Sequence, residues 1–167
     1  MTQTSLLVES SADFSPCRTW RYTLRRRWSD GPMMMVIGLN PSTADEIQDD
    51  PTIRRCVGYA KRWGYAGLLM GNIFAFRATD PSDLYAADDP EGPLNNMHLV
   101  QMAEEAKFML AAWGSHGEWL GRGQRVRELL WEYDLHCLGH TKHGQPKHPL
   151  YLRADAEPIK LGAVSLG

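Results

Sequence analysis

The chain has 167 residues, of which 43% are hydrophobic and 23% charged, with a formal net charge of −2. That length suits one domain with its own core. The charge balance excludes a polycation that would hold phosphate over its whole surface, and no run approaches the ~20 apolar residues of a membrane span. The three cysteines, Cys17, Cys56 and Cys137, form no CxxC pair. This argues against a disulfide framework and against a zinc site, and reads as buried free thiols in a reducing compartment. The opening "MTQTSLLVESSADFSP" has neither a basic start nor a long apolar run, so the expected location is the cytoplasm.

In chain order, residues 1–16 are polar and Ser-rich and read as an irregular lead-in to a single α/β domain over 17–167. Residues 17–32 alternate Trp20, Tyr22 and Leu24 with polar neighbours, the periodicity of a half-exposed edge strand or hairpin. Arg25, Arg26 and Arg27 then decorate an exposed edge, where charge blocks pairing. "MMMVIGL" (33–39) is a continuous apolar run bounded by Gly-Pro and Asn-Pro, hence a buried strand. "DDPTIRRCVGYAKRWGY" (49–65) opens with an Asp cap and a Pro at the first helical position. Ile53, Val57, Ala60 and Trp63 share one face, and Gly64 ends the helix.

Residues 66–76 read as a second buried strand, and 77–95, dense in Pro, Asp and Gly, as a long loop with at most one helical turn. A helix follows over 95–108, with Leu99, Met102, Ala103 and Ala106 inward. Then come a third strand (108–114), a helix (121–134), a short fourth strand (135–139) and a polar loop leading to an apolar turn or short helix (140–152).

This alternation predicts a parallel sheet covered on both faces, with every strand's carboxyl end on one edge. Ligands of open α/β sheets bind outside that edge. The strand tails are "GLNPS", "GNIFAFRATDP", "WGSHG" and "GHTKHGQPKHP". They offer two amides, Asn40 and Asn72, and two imidazoles, His116 and His148. Amides read base edges or hold a water. An imidazole donates to a developing anion or moves a proton. Asp45, Asp49 and Asp50 can bind a metal, but a solvated loop with Asp50 as helix cap is the preferred reading.

"GLNPS" (38–42) resembles the first motif of the uracil-DNA glycosylase superfamily, its water-holding loop, in the form used by the mismatch-specific and thymine-DNA glycosylase branch. "GNIFAFRATDP" (71–81) is similar to the base-pocket segment of the iron–sulfur branch, "AAWGSHG" (111–117) to the third-strand motif, and "HPLYLR" (148–153) to the last, His-Pro motif. Over its whole length the chain is more similar still to an uncharacterised bacterial and phage family, domain of unknown function 1643, through "LNPSTAD", "DDPTIRRC", "WGYAGL" and "GQPKHPLYL". Ser42 and Thr43 stand where the mismatch branch has Gly-Leu, and Leu150 replaces the Ser or Ala after His-Pro. Three scattered cysteines cannot supply the four ligands of an iron–sulfur cluster.

The resemblance implies a three-layer αβα sandwich around a four-stranded parallel sheet, with the N-terminal strand or hairpin at its edge. It also implies a base-excision N-glycosylase acting by water attack at the sugar carbon. Asn40 positions the water, and His148 stabilises charge on the departing base. Gly38, Leu39, Pro41, Ser42, Asn72, Phe74, Arg77, Trp113 and His116 line the substrate site. Arg54, Arg55, Lys142 and Lys147 contact phosphate. The expected partner is nucleic acid, DNA ahead of RNA, or a nucleotide, with no metal, iron–sulfur cluster, other cofactor or membrane. Two alternatives stay open: a non-catalytic nucleotide or nucleic-acid binding module with the same fold, and a hydrolase of free modified nucleosides or nucleotides.

Overall fold

Seven strands form one mixed sheet, in the order β1-β2-β4-β3-β5-β6-β7. They are β1 (Glu9–Phe14), β2 (Arg21–Arg27), β3 (Met33–Gly38), β4 (Gly67–Asn72), β5 (Phe108–Ala111), β6 (Leu135–Cys137) and β7 (Ile159–Lys160). The computed structural model describes residues 9–162. β4, β3, β5 and β6 pair in parallel. The antiparallel β1–β2 pair extends one side and β7 the other. The sheet thus adds β7 to the four parallel strands and the N-terminal edge strand or hairpin expected. The lead-in is not irregular over 9–14, where the chain forms the edge strand, and residues 1–8 lie outside the described residues.

β3 has the residues of a central strand: all six are buried, so apolar side chains suit both faces. Met33, Met35 and Ile37 enter one core, with Leu99 and Met102 of α3 (Asn95–Glu105) and Val126 of α4 (Arg122–Leu129). Met34 and Val36 enter the other, with Ile53, Cys56, Tyr59 and Ala60 of α1 (Pro51–Arg62). Each helix covers one face by its apolar stripe. Asp50 caps α1, its Oδ1 accepting from the Ile53 N–H at 2.9 Å, with Pro51 at the first helical position. The long 77–95 loop holds only α2 (Pro81–Tyr85).

β2 lies inside the sheet, between β1 and β4, so its arginines do not decorate an edge. The register of β1 on β2 slips at Asp13/Phe14, whose partners are Thr23 and Arg21, leaving Tyr22 as an extra residue. Such a bulge re-aims the neighbouring side chains. Arg21 thereby reaches the 40–50 loop, where its Nη1 donates to the Ala44 carbonyl at 3.1 Å. Arg26 is buried beneath the same loop, with its Nε 2.9 Å from Asp49 Oδ1. Arg25 forms an ion pair with Glu105 on α3.

No helix among the described residues is long and apolar enough to cross a membrane. Cys56 and Cys137 are buried, but Cys17 is exposed, contrary to the expectation of three buried thiols. Hydrogen bonds with Ser15 and Thr19 lower the Cys17 thiol to about 7, whereas complete burial raises Cys56 to about 12.

Candidate functional site

The carboxyl ends of β3 and β5 and the loop after β6 open onto one cavity of about 700 Å³. Leu39, Asn40 and Ser42 face it from the loop after β3. Trp113 and His116 face it from the segment after β5, and Lys147 and His148 from the loop after β6. Parallel strands joined by right-handed crossovers bring these tails to one edge, so residues far apart in sequence meet.

On the β3 side, the chain beyond β4 runs beside the loop. Ile73, Phe74 and Ala78 donate backbone N–H groups to the carbonyls of Gly38, Leu39 and Pro41. Asn40 laces the two segments together. Its Nδ2 donates to the Ala78 carbonyl at 2.8 Å, the Pro41 carbonyl at 3.1 Å and, more weakly, the Phe76 carbonyl at 3.4 Å. Three carbonyls around one amide end identify it as nitrogen, which leaves Oδ1 as the acceptor.

On the opposite side, His148 caps the 3-10 turn Pro149–Tyr151, its Nδ1 accepting from the Leu150 N–H at 3.2 Å. With Nδ1 occupied as acceptor, the neutral ring carries its proton on Nε2. Burial pulls His148 below the usual histidine range, with Asp50 opposing, so the neutral form prevails at neutral pH. Gly114 permits this arrangement. Its φ of +74° turns the chain after β5 so that its N–H donates to the Pro146 carbonyl at 2.8 Å.

Trp113 is 1% exposed. Its Nε1 donates to Gln145 Oε1 at 2.8 Å, tying the third loop to the sheet. Gly117 packs on its ring so closely that a Cβ there would lie 2.0 Å from Trp113 Cδ1. His116 is exposed and contacts the Tyr85 hydroxyl through Nδ1.

Several expected site residues lie elsewhere. Asn72 is 2% exposed and does not line the cavity. In register with Gly38, it sits so close that a Cβ on Gly38 would be 2.8 Å from Asn72 Oδ1. Its backbone carbonyl is held by Asn95 Nδ2 at 2.9 Å, and the Ile73 carbonyl by Arg122 Nε at 2.7 Å. Gly38 and Pro41 are buried and form the loop's frame rather than the cavity surface. Phe74 is buried against Trp119. Arg77 turns the other way, its guanidinium 4.8 Å from the Phe14 ring centroid and its Nε 3.4 Å from the Ser42 carbonyl. Lys142 is exposed on the loop tip, outside the cavity lining. Arg54 and Arg55 line a neighbouring groove.

Conversely, Thr79, Thr141, Tyr151 and Asp50 line the cavity without having been expected there as site residues. The strand-tail rule could have found Thr141. Asp50 was legible only as a cap. Asp45 is a loop fastener, its Oδ1 accepting from Ile47 N–H at 2.9 Å and Gln48 N–H at 2.7 Å, bonds that also lower its pKa. Among the described residues, no three His, Cys, Asp or Glu side chains group as a metal site.

No curated protein and no solved structure matches the chain. Residues 21–150 match the family described as protein of unknown function (DUF1643), and with that span, which holds β2 through the cavity's last histidine, the chain belongs to this family.

Proposed function

We propose that the chain is a base-excision N-glycosylase of the uracil-DNA glycosylase type, acting on a damaged or modified base in nucleic acid, DNA ahead of RNA. One observation carries this reading: Asn40 and His148 face the same cavity at the carboxyl edge of the parallel strands. Four adjacent parallel strands with α1 on one face and α3 and α4 on the other support the αβα sandwich of that superfamily. A volume of about 700 Å³ suits a single flipped nucleotide.

In the proposed reaction, Asn40 Oδ1 accepts from a water and aims its oxygen at the sugar carbon. The C–O bond forms as the N-glycosyl bond breaks, and the bonding electrons leave with the base. His148 Nε2–H donates to the base oxygen where that charge collects, as an oxyanion donor does. The attacking water loses its proton to solvent. Lys147, on the cavity edge, and Arg54 and Arg55 beside it are the phosphate contacts of this reading.

A second reading is a nucleotide or nucleic-acid binding module. It is favoured by the bonds from Asn40 Nδ2 to three carbonyls, a structural use of that side chain. The experiment is incubation with oligonucleotides carrying a panel of damaged or modified bases, followed by abasic-site cleavage. Cleavage of at least one substrate, slowed about 100-fold in His148→Ala, is expected. A well-folded protein that cleaves none leaves the binding module, and release of base only from free nucleosides or nucleotides leaves the small-molecule hydrolase.

A further inference from the structure

A groove of about 590 Å³ runs along α1 and meets the cavity, both being lined by Pro51 and Leu150. Its floor is a stripe of Arg54, Gly58 and Arg62 at four-residue intervals, with Arg55 alongside. Each guanidinium has five N–H donors. Among the described residues, Arg54 commits one nitrogen to the Asp49 carbonyl at 3.2 Å and Arg55 one to the Leu152 carbonyl at 3.0 Å. Among the described residues, Arg62 makes one ion pair, with Glu157 at 3.9 Å; both side chains are at least half exposed, so the pair is weak. Asp155, near the same wall, is engaged by Arg153 at 2.9 Å.

Gly58 adds an independent observation. A glycine inside a helix costs about 1 kcal/mol relative to alanine. A Cβ at Gly58 would meet nothing within 4 Å, so internal packing does not require the glycine. Its effect is to keep the floor between Arg54 and Arg62 clear. Where the groove meets the cavity, Leu150 is partly exposed and Tyr151 is 85% exposed.

We propose that this groove is a track for single-stranded nucleic acid, holding the phosphates that flank the nucleotide in the cavity. The proposal rests on the nucleic-acid reading above and extends it beyond the reacting nucleotide. Arg54, Arg55 and Arg62 pair with successive phosphates, and Gly58 lets the backbone lie against the helix. Tyr151 stacks the next base at the cavity mouth. The eight-residue span from Arg54 to Arg62 covers about 12 Å at ~1.5 Å per residue, a reach of a few consecutive phosphates. Guanidinium forks take phosphate and carboxylate alike, and the exposed Tyr151 ring beside them, able to stack a base, favours nucleic acid over an acidic peptide.

The test is fluorescence anisotropy of an undamaged fluorescein-labelled oligothymidylate 12-mer with the full chain. The logarithm of affinity should fall against the logarithm of salt with a slope of about −2, three phosphates at ~0.7 each. Arg62→Gln should reduce that slope by about 0.7. Gly58→Leu keeps every charge and raises helix propensity. It should weaken binding about tenfold or more while the melting temperature holds or rises. Wild-type binding by Gly58→Leu overturns the track, as does absence of binding at low salt. Competition by polyglutamate equal to that by unlabelled oligonucleotide overturns it too, in favour of an acidic-peptide surface. Base release is read separately. Strand binding with these sensitivities but no base release keeps the track and removes the glycosylase, whereas base release without strand binding removes the track alone.

Discussion

On the Asn40 side of the cavity, polar side chains hold the backbone; on the His148 side, a buried tryptophan shares that holding with backbone bonds and with Thr141 and Arg55. Asn40, Asp45 and Asp50 all spend side-chain atoms on neighbouring peptide groups. Arg21 and Arg26 brace the same loop from β2 below. The 140–152 loop is fastened by Trp113 Nε1 on Gln145 and by Gly114 N–H on Pro146. It leaves Leu150 and Tyr151 exposed. Polar lacing fixes an acceptor, Asn40 Oδ1, in a set orientation. The Trp113 bond and the Gly114 bond hold the segment before His148 and leave the turn after it, with Leu150 and Tyr151, exposed.

Removing the tryptophan should have the largest effect. Trp113→Ala empties a fully buried aromatic site and should cost about 3–5 kcal/mol in chemical denaturation. Trp113→Phe, which chiefly loses the bond to Gln145, should cost about 1 kcal/mol. Equal losses in the two variants would show that packing is not what fastens this wall.

On the laced side, Asp50→Ala should cost about 2 kcal/mol. It strips the α1 cap and leaves the Ala44 N–H, 3.3 Å from Asp50 Oδ2, without its partner. It also removes the leading counter-charge of Arg21, which burial has lowered to about 10. Adding Arg21→Met should therefore restore part of the loss. Strict additivity of the two would break the idea of a shared brace around the Ala44 peptide.

Asn40→Ala should cost about 1 kcal/mol, for the carbonyl bonds that its amide makes. Asn40→Asp should be worse than Ala, because a carboxylate there faces carbonyl oxygens. An Asp variant as stable as wild type would mean that Nδ2 is not the end that laces the segments.

The smallest effect is in pH dependence. Burial lowers the pKa of His148 relative to its unfolded value of about 6.5. The unfolded chain then binds the proton more readily, so stability rises with pH between the folded and unfolded values and is lost as pH falls through that window. His148→Asn should flatten that rise without abolishing it, since His98 is lowered by burial in the same direction. Melting temperatures across this range would show a steeper rise in the variant if the sign were reversed.

The parallel strands were legible because buried strands show as continuous apolar runs such as Met33–Ile37. β1 was missed because an edge strand reading Glu-Ser-Ser-Ala-Asp-Phe has the composition of a loop. The burial of Arg21 and Arg26 was illegible, since it depends on a bulge and on a loop more than 15 residues away. The strand-tail rule placed Asn40, Ser42, Trp113, His116, Lys147 and His148 at one cavity. It misplaced Asn72 and Phe74, because the first residues after β4 run beside the β3 loop and the chain reaches the cavity only further along, at Ala78, Thr79 and Pro81. Asn72→Ala should accordingly alter stability more than base choice.

The most direct measurement is single-turnover base release from the substrate found by the oligonucleotide panel, with thermal melts as folding control. His148→Ala should slow release about 100-fold, the loss of one oxyanion donor, about 3 kcal/mol. Asn40→Ala should slow the same chemical step. A well-folded double variant at Asn40 and His148 that releases base at the wild-type rate would contradict the account.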